Sequence, residues 1–189
     1  MAIAGSIETQ RLKLEVPHQA RKNELADELA VLANVRDISE RLATMPYPYG
    51  RDDAVLWINA VAAMTAGAAF TIGLKPSGKI IGCCGCGPNE ASDEIDFGYW
   101  IGIDFWGHGY ATEAASVVLN HVFDKDRFEI ITTDYQTDNL TSARVLEKLG
   151  FKTAGPRQKY CLARQCDVET VKVTLSRQSW LNHHLCTIT

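Results

Sequence analysis

The chain has 189 residues, 46% of them hydrophobic, and a formal net charge of −4 at neutral pH. That size and apolar share suit one domain around a single core, and the small acidic excess offers no basic face of the kind that holds nucleic acid. No apolar run reaches the roughly 18 residues of a membrane span, and the first ten residues, MAIAGSIETQ, lack the basic start and long apolar stretch of a secretory signal, so a cytoplasmic protein with no membrane partner is expected.

In chain order, residues 9–16 read as a strand, with Leu12, Leu14 and Val16 alternating with Arg11, Lys13 and Glu15 until Pro17 stops it. Asn23 is placed to cap a helix through about Leu32, carrying Leu25, Leu29 and Leu32 on one stripe. A short helical turn follows at 39–43. Residues 45–50, MPYPYG, are irregular because two prolines fix the backbone. Asp52 or Asp53 caps a helix over 54–64 that carries Val55, Trp57, Ile58 and Val61. Strands at 70–74 and 79–86 flank the turn Pro76-Ser77-Gly78. The loop Pro88-Asn89-Glu90 leads to a central strand that turns bulky at Tyr99, Trp100 and Ile101.

Next comes a turn, Trp106-Gly107-His108-Gly109-Tyr110-Ala111-Thr112, and a helix with Ala114, Ala115, Val118, Leu119 and Val122 at helical spacing. Residues 128–135, FEIITTDY, form a β-branched strand. Asp138 or Asn139 caps a helix that Gly150 ends. Last strands are expected at 151–154, 159–162 and 168–175, then a tail without pattern after Arg177. The order predicts a mixed α/β domain on one sheet, covering residues 9–176. Among the six cysteines, Cys83, Cys84 and Cys86 crowd one strand. Zinc sites favour a wider Cys-x-x-Cys spacing with a second pair, so packed thiols in a reduced protein, with no metal, are the expectation.

The turn at 106–112 is the chain's chemical signature. Two glycines between a strand end and a helix start let backbone amides approach a ligand. The helix's first N–H groups and its dipole favour an anion such as phosphate. A Walker A loop is excluded because Tyr110 follows Gly109 where Lys is required. A dinucleotide fingerprint lacks its third glycine, since Thr112 stands there. A pyrophosphate loop of acyl-CoA N-acyltransferases, with the pattern Gln/Arg-x-x-Gly-x-Gly/Ala, fits at Gly109 and Ala111 and departs at Trp106. A tight turn without a ligand is the plain alternative.

A second stretch joins it: Asn139 and Ser142 in an Asn-x-x-Ser pattern, in a helix ending Lys148-Leu149-Gly150-Phe151. With Gly98-Tyr99-Trp100 and the turn, the chain resembles the GNAT superfamily of acetyltransferases over nearly its whole length. Within it, the chain is most similar to the ribosomal-protein N-terminal acetyltransferase (RimJ/RimL-type) branch. That resemblance implies one mostly antiparallel sheet whose fourth and fifth strands splay apart, helices on both faces, and acetyl-CoA in the gap. It implies a pyrophosphate site on the backbone of Gly107, His108, Gly109, Tyr110, Ala111 and Thr112. The pantetheine arm would lie along the backbone of Trp100, Ile101, Gly102 and Ile103 like an added strand.

By the same resemblance Asn139 contacts the cofactor arm and Ser142 lies near the sulfur. The family's usual acid, a Tyr four residues after that serine, is replaced by Leu146, which leaves Ser142 as the candidate proton donor to the thiolate. The plain alternative is that Asn139 and Ser142 only cap and begin a helix. Glu94 and Asp96, two apart on one strand face, are candidate proton acceptors for the amine, or else a surface pair. Tyr47, Tyr49 and Trp57 are candidates to line the acceptor side, with plain packing an equal reading for Trp57. The activity implied is acetyl transfer from acetyl-CoA to a primary amine, of a protein N-terminus or a small molecule, in a ternary complex. A GNAT fold that binds acyl-CoA with weak or no catalysis, and an interaction domain that binds no CoA, are the other readings. A homodimer is suggested only by the family.

Overall fold

A computed structural model describes residues 5–89, 94–125 and 128–185 of the chain. Glu90, Asp93 and Cys186 lie outside these. The strands are β1 (Ser6–Glu8), β2 (Leu12–Glu15), β3 (Ala68–Leu74), β4 (Ile80–Pro88), β5 (Ile95–Ile101), β6 (Ile130–Gln136), β7 (Lys152–Cys161) and β8 (Cys166–Ser176). The helices are α1 (Lys22–Ala33), α2 (Arg36–Ser39), α3 (Arg51–Ala63), α4 (Tyr110–Lys125), α5 (Leu140–Lys148) and α6 (Arg177–Leu185).

All eight strands form one sheet in the order β1-β2-β3-β4-β5-β6-β8-β7. Every neighbouring pair is antiparallel except β5 and β6, which run parallel and meet only at Asp96 and Thr132. Beyond that point the two strands part. This is the splay expected between the fourth and fifth strands. It falls between the fifth and sixth because Ser6–Glu8 forms an extra short strand paired to β2.

Strand alternation divides the core in two. Leu12, Leu14, Phe70, Ile72, Cys84, Cys86, Phe97 and Ile101 face α4 and α5 in one cluster. Cys83 on the other face joins Leu25, Leu29, Ala54 and Ile58 of α1 and α3. The Cys83, Cys84 and Cys86 thiols are buried. Burial pushes up the pKa of Cys83 and Cys84, so both stay protonated packing groups. Among the described residues no group of three His, Cys, Asp or Glu side chains is placed to hold a metal. No described helix is long and apolar enough to cross a membrane.

Four local expectations change. Asn23 lies inside α1 and accepts from Arg51 at 2.7 Å instead of capping. The α3 helix starts at Arg51, with the Asp53 carboxylate accepting the Gly50 N–H at 2.8 Å. The two strands expected at 151–154 and 159–162 are one, β7, because a bulge between Thr153 and Gly155 absorbs the irregular stretch. Residues Arg177–Leu185 of the expected tail are helical, and Trp180 is buried against Phe123.

Candidate active site

The parting of β5 from β6 decides what can bind there. Backbone groups along a strand alternate between its two edges. Gly102 donates to the Ile81 carbonyl at 2.8 Å, so the backbone of Gly102 and, by parity, Trp100 faces β4. By the same parity the backbone of Tyr99 and Ile101 faces the gap, whereas Ile103 opens the 3-10 turn and its carbonyl accepts the Trp106 N–H at 3.1 Å. Of these, the Ile101 carbonyl already accepts the Trp106 indole N–H at 2.6 Å. Of the expected set Trp100, Ile101, Gly102 and Ile103, Trp100 and Gly102 thus turn backbone groups toward β4.

At the end of β5 a short 3-10 turn, Ile103–Phe105, brings the chain to the glycine turn. Gly107 and Gly109 have φ of +78° and +79°, a left-handed backbone that side-chain-bearing residues adopt only with strain. With Gly107 and Gly109 so turned, His108, Tyr110, Ala111 and Thr112 lead into the first turn of α4, whose leading N–H groups have no partner within the helix.

The turn is braced from outside. Arg11 donates to the His108 carbonyl at 2.9 Å, pairs with Glu113 at 2.6 Å and stacks 4.6 Å from the Tyr110 ring centroid. The His108 ring stacks on the Tyr110 ring, with centroids 5.6 Å apart. Its Nδ1 lies 2.8 Å from the Trp106 carbonyl. Burial alone would raise the Glu113 carboxyl, but the Thr9 hydroxyl, the Arg11 N–H and the guanidinium outweigh it and hold its pKa below the ordinary value. Glu113 thus ties the β1–β2 connection to α4, a structural duty.

Across the gap, Asn139 caps α5. Its Oδ1 accepts the Ser142 N–H at 3.1 Å and, more weakly, Arg41 at 3.4 Å. The guanidinium of Arg41 also lies 5.3 Å from the Trp106 ring centroid, so it spans from the turn after β5 to the start of α5. The Ser142 hydroxyl is 3.0 Å from the Tyr99 hydroxyl, which joins the two walls of the gap. Burial pushes the Tyr99 phenol up to about 12, partly offset by its bond to Ser142. Leu146 is buried in the core, so its position offers no acid.

Glu94 and Asp96 do share a face, the one opposite Tyr99. Glu94 is gripped by Arg157 at 3.1 Å and by Lys172, and these hydrogen bonds press its pKa to about 2. A carboxylate so held is a poor proton acceptor near neutral pH. Asp96, at the apex of the gap, accepts from Thr132 at 3.0 Å and from the Asn89 amide.

On the acceptor side, Tyr49 is turned into the core. It is 7% exposed, packs in the α1–α3 core, and its N–H donates to Asn34 at 3.1 Å. Trp57 is half-buried against the same core. Tyr47 is half-buried beneath Arg36, whose guanidinium is 4.8 Å from its ring centroid. Two residues of the gap escaped the sequence reading. Tyr99 stood in the Gly98-Tyr99-Trp100 motif, and alternation from Phe97 could have put it on the α5 face. Arg41 had no local signal, since its partner Asn139 is 98 positions away.

Residues 11–152 match the family profile described as "Acetyltransferase (GNAT) domain". An uncharacterized N-acetyltransferase, p20, of Bacillus licheniformis is 23% identical over 68% of this chain and 72% of its own length. The ribosomal-protein-S5-alanine acetyltransferase of Vibrio fischeri superposes with a TM-score of 0.75 at 17% identity, covering 93% of this chain and 98% of that one. The microcin C7 self-immunity acetyltransferase MccE, in a complex with acetyl-CoA and AMP, superposes with a TM-score of 0.72 at 20% identity, covering 89% and 93%. The chain belongs to the GNAT acetyltransferase family and is an acyltransferase of the acetyl-CoA-using kind.

Proposed function

We propose that the gap between β5 and β6 binds acetyl-CoA and that the protein transfers the acetyl group to a primary amine in a ternary complex. The observation that carries this reading is the parting of β5 and β6 beyond Asp96 and Thr132, with the glycine turn on one wall and Ser142 on the other. The turn residues 107–112 hold the pyrophosphate on backbone N–H groups at the start of α4. The arm then runs along the gap-facing edge of β5 at Tyr99 and Ile101. Asn139 spends its Oδ1 on the helix cap, so its contact with the arm comes from its amide nitrogen.

A neutral amine attacks the thioester carbon, and the C–S electron pair leaves with sulfur. Ser142 donates to that sulfur as charge develops there. Asp96, directly or through water, receives the proton that the nitrogen loses; Glu94 is relegated to holding Arg157 and Lys172. Fixing the thioester and amine together supplies much of the rate. The acceptor is a primary amine of a peptide N-terminus or a small molecule. The Vibrio fischeri neighbour, named for an alanine of ribosomal protein S5, favours peptide N-termini for the first panel. Tyr47 and Trp57 border the α1–α3 side from which an acceptor would approach.

An acetyl-CoA turnover screen over N-terminal peptides and small amines, read as free thiol released, tests the proposal. Amine-dependent release supports it. Calorimetric binding of acetyl-CoA without turnover for any amine would favour a second reading, a cofactor-binding fold with weak or no catalysis, to which the buried Leu146 lends weight.

A further inference from the structure

The family's usual acid position is filled by Leu146, yet a phenol reaches the same helix face from another element. Ser142 and Leu146 are four apart on α5 and so lie on one face. Tyr99 approaches that face from β5, its hydroxyl 3.0 Å from the Ser142 hydroxyl. We propose that Tyr99 is the positioning residue for Ser142: its phenol donates to the serine oxygen, which leaves the serine O–H aimed at the departing sulfur. The inference rests on Ser142 acting as donor to that sulfur.

The direction of the bond follows from acidity. A phenol, with an ordinary pKa near 10, is a far stronger acid than an aliphatic alcohol, so the phenol is the donor of the pair. A serine oxygen that accepts a hydrogen bond becomes a better donor through its own O–H, because linked hydrogen bonds polarise one another. Both ends are fixed. The Ser142 N–H is held by Asn139 at 3.1 Å, and the Tyr99 ring leans on Phe97 with centroids 5.8 Å apart. The phenol, raised by burial, stays protonated and available throughout the working range. It is also a weaker acid than a thiol, so its proton is shared along the chain and not surrendered. The developing thiolate is stabilised by the hydrogen bond, and coenzyme A takes its proton from water on release. The nitrogen's proton leaves separately, so acceptor, donor and solvent balance.

The test is a double-mutant cycle on kcat with acetyl-CoA and the panel amine of highest turnover. Tyr99→Phe keeps the ring and its packing and removes only the hydroxyl. It should lower kcat about three- to tenfold, with the KM for acetyl-CoA little changed. In a Ser142→Ala background the same change should have no further effect. An unchanged kcat in Tyr99→Phe overturns the proposal, and so does an equal loss in both backgrounds, which would mark a structural role. If Ser142→Ala leaves kcat intact while Tyr99→Phe lowers it, the relay is overturned and Tyr99 would act on its own. If only Tyr99→Phe is silent, Ser142 keeps its role and this inference alone fails. A fluorotyrosine at position 99, a stronger acid of similar size, gives a readout that packing does not move: kcat should change with donor acidity, and independence from it would contradict the assignment.

Discussion

Ser142 carries the sharpest prediction at the residue scale. Asn139 caps α5 through the Ser142 N–H, so the serine backbone has a structural duty whatever its hydroxyl does. Ser142→Ala leaves that cap in place and deletes only the hydroxyl. The expected result is a fall in kcat of at least about tenfold, the order expected when a hydrogen bond to a developing charge is lost, with the acetyl-CoA dissociation constant and melting temperature close to wild type. A fall in melting temperature with kcat unchanged would return the hydroxyl to a purely structural role. Glu94 shows the other side of residue-level reading. Its spacing from Asp96 was legible and puts both on one face. Its pairing with Arg157 and Lys172 was not, because those partners come from β7 and β8, 63 and 78 positions later. The burial of Tyr49 was hidden in the same way: an aromatic beside two prolines reads as a surface group, and the packing of α1 on α3 turns it inward.

At the element scale, the N-terminal end of α4 depends on a residue far from it in sequence. Arg11 holds the His108 carbonyl, Glu113 and the Tyr110 ring together. The contact with Glu113 is partly exposed, so the pair itself adds little stability. Its value lies in fixing the turn. Arg11→Ala is expected to weaken acetyl-CoA binding by about three- to tenfold, a loss of the order of one hydrogen-bonded contact, while the fold persists. Titration calorimetry on the variant checks it. The last helix offers a stability counterpart. Trp180 is 2% exposed and its indole donates to Asn120 at 2.8 Å, so α6 is docked by that side chain. Trp180→Ala should cost about 3–5 kcal/mol, measured by urea unfolding. The segment looked patternless because one buried aromatic among polar residues makes no periodic stripe. The long α4, with six buried apolar residues at helical spacing, made the opposite case and was plain from its sequence.

For the whole molecule, the single mixed sheet was readable from the order of strand and helix patterns, and its splay was implied by the resemblance that the two motifs carry. Contacts that cross the gap were hidden, since nothing local announces that Tyr99 meets Ser142 or that Arg41 reaches Asn139. The charged face of β5, β7 and β8 sets how stability follows pH. The folded pKa of Glu94, about 2, lies below its ordinary value of 4.5, so its pairing stabilises the fold fully above about 4.5 and is lost as pH falls toward 2. The stability gap between wild type and Glu94→Gln should therefore be widest at neutral pH and close on acidification, as urea midpoints along a pH series would show. A gap independent of pH would contradict the ion-pair account.

The central claim is that the glycine turn at the edge of the β5–β6 gap holds the cofactor's pyrophosphate. Gly109 has φ +79°, and a Cβ there would sit 3.6 Å from the Arg11 guanidinium. Gly109→Asp strains the backbone, draws on Arg11 and places negative charge where phosphate approaches. Titration calorimetry of acetyl-CoA into wild type and this variant, with folding verified by melting temperature, is the most direct measurement. A loss of affinity of at least about tenfold, equivalent to roughly 1.4 kcal/mol, is predicted. Equal affinity in a folded Gly109→Asp protein would contradict the assignment of the turn and of the gap it borders.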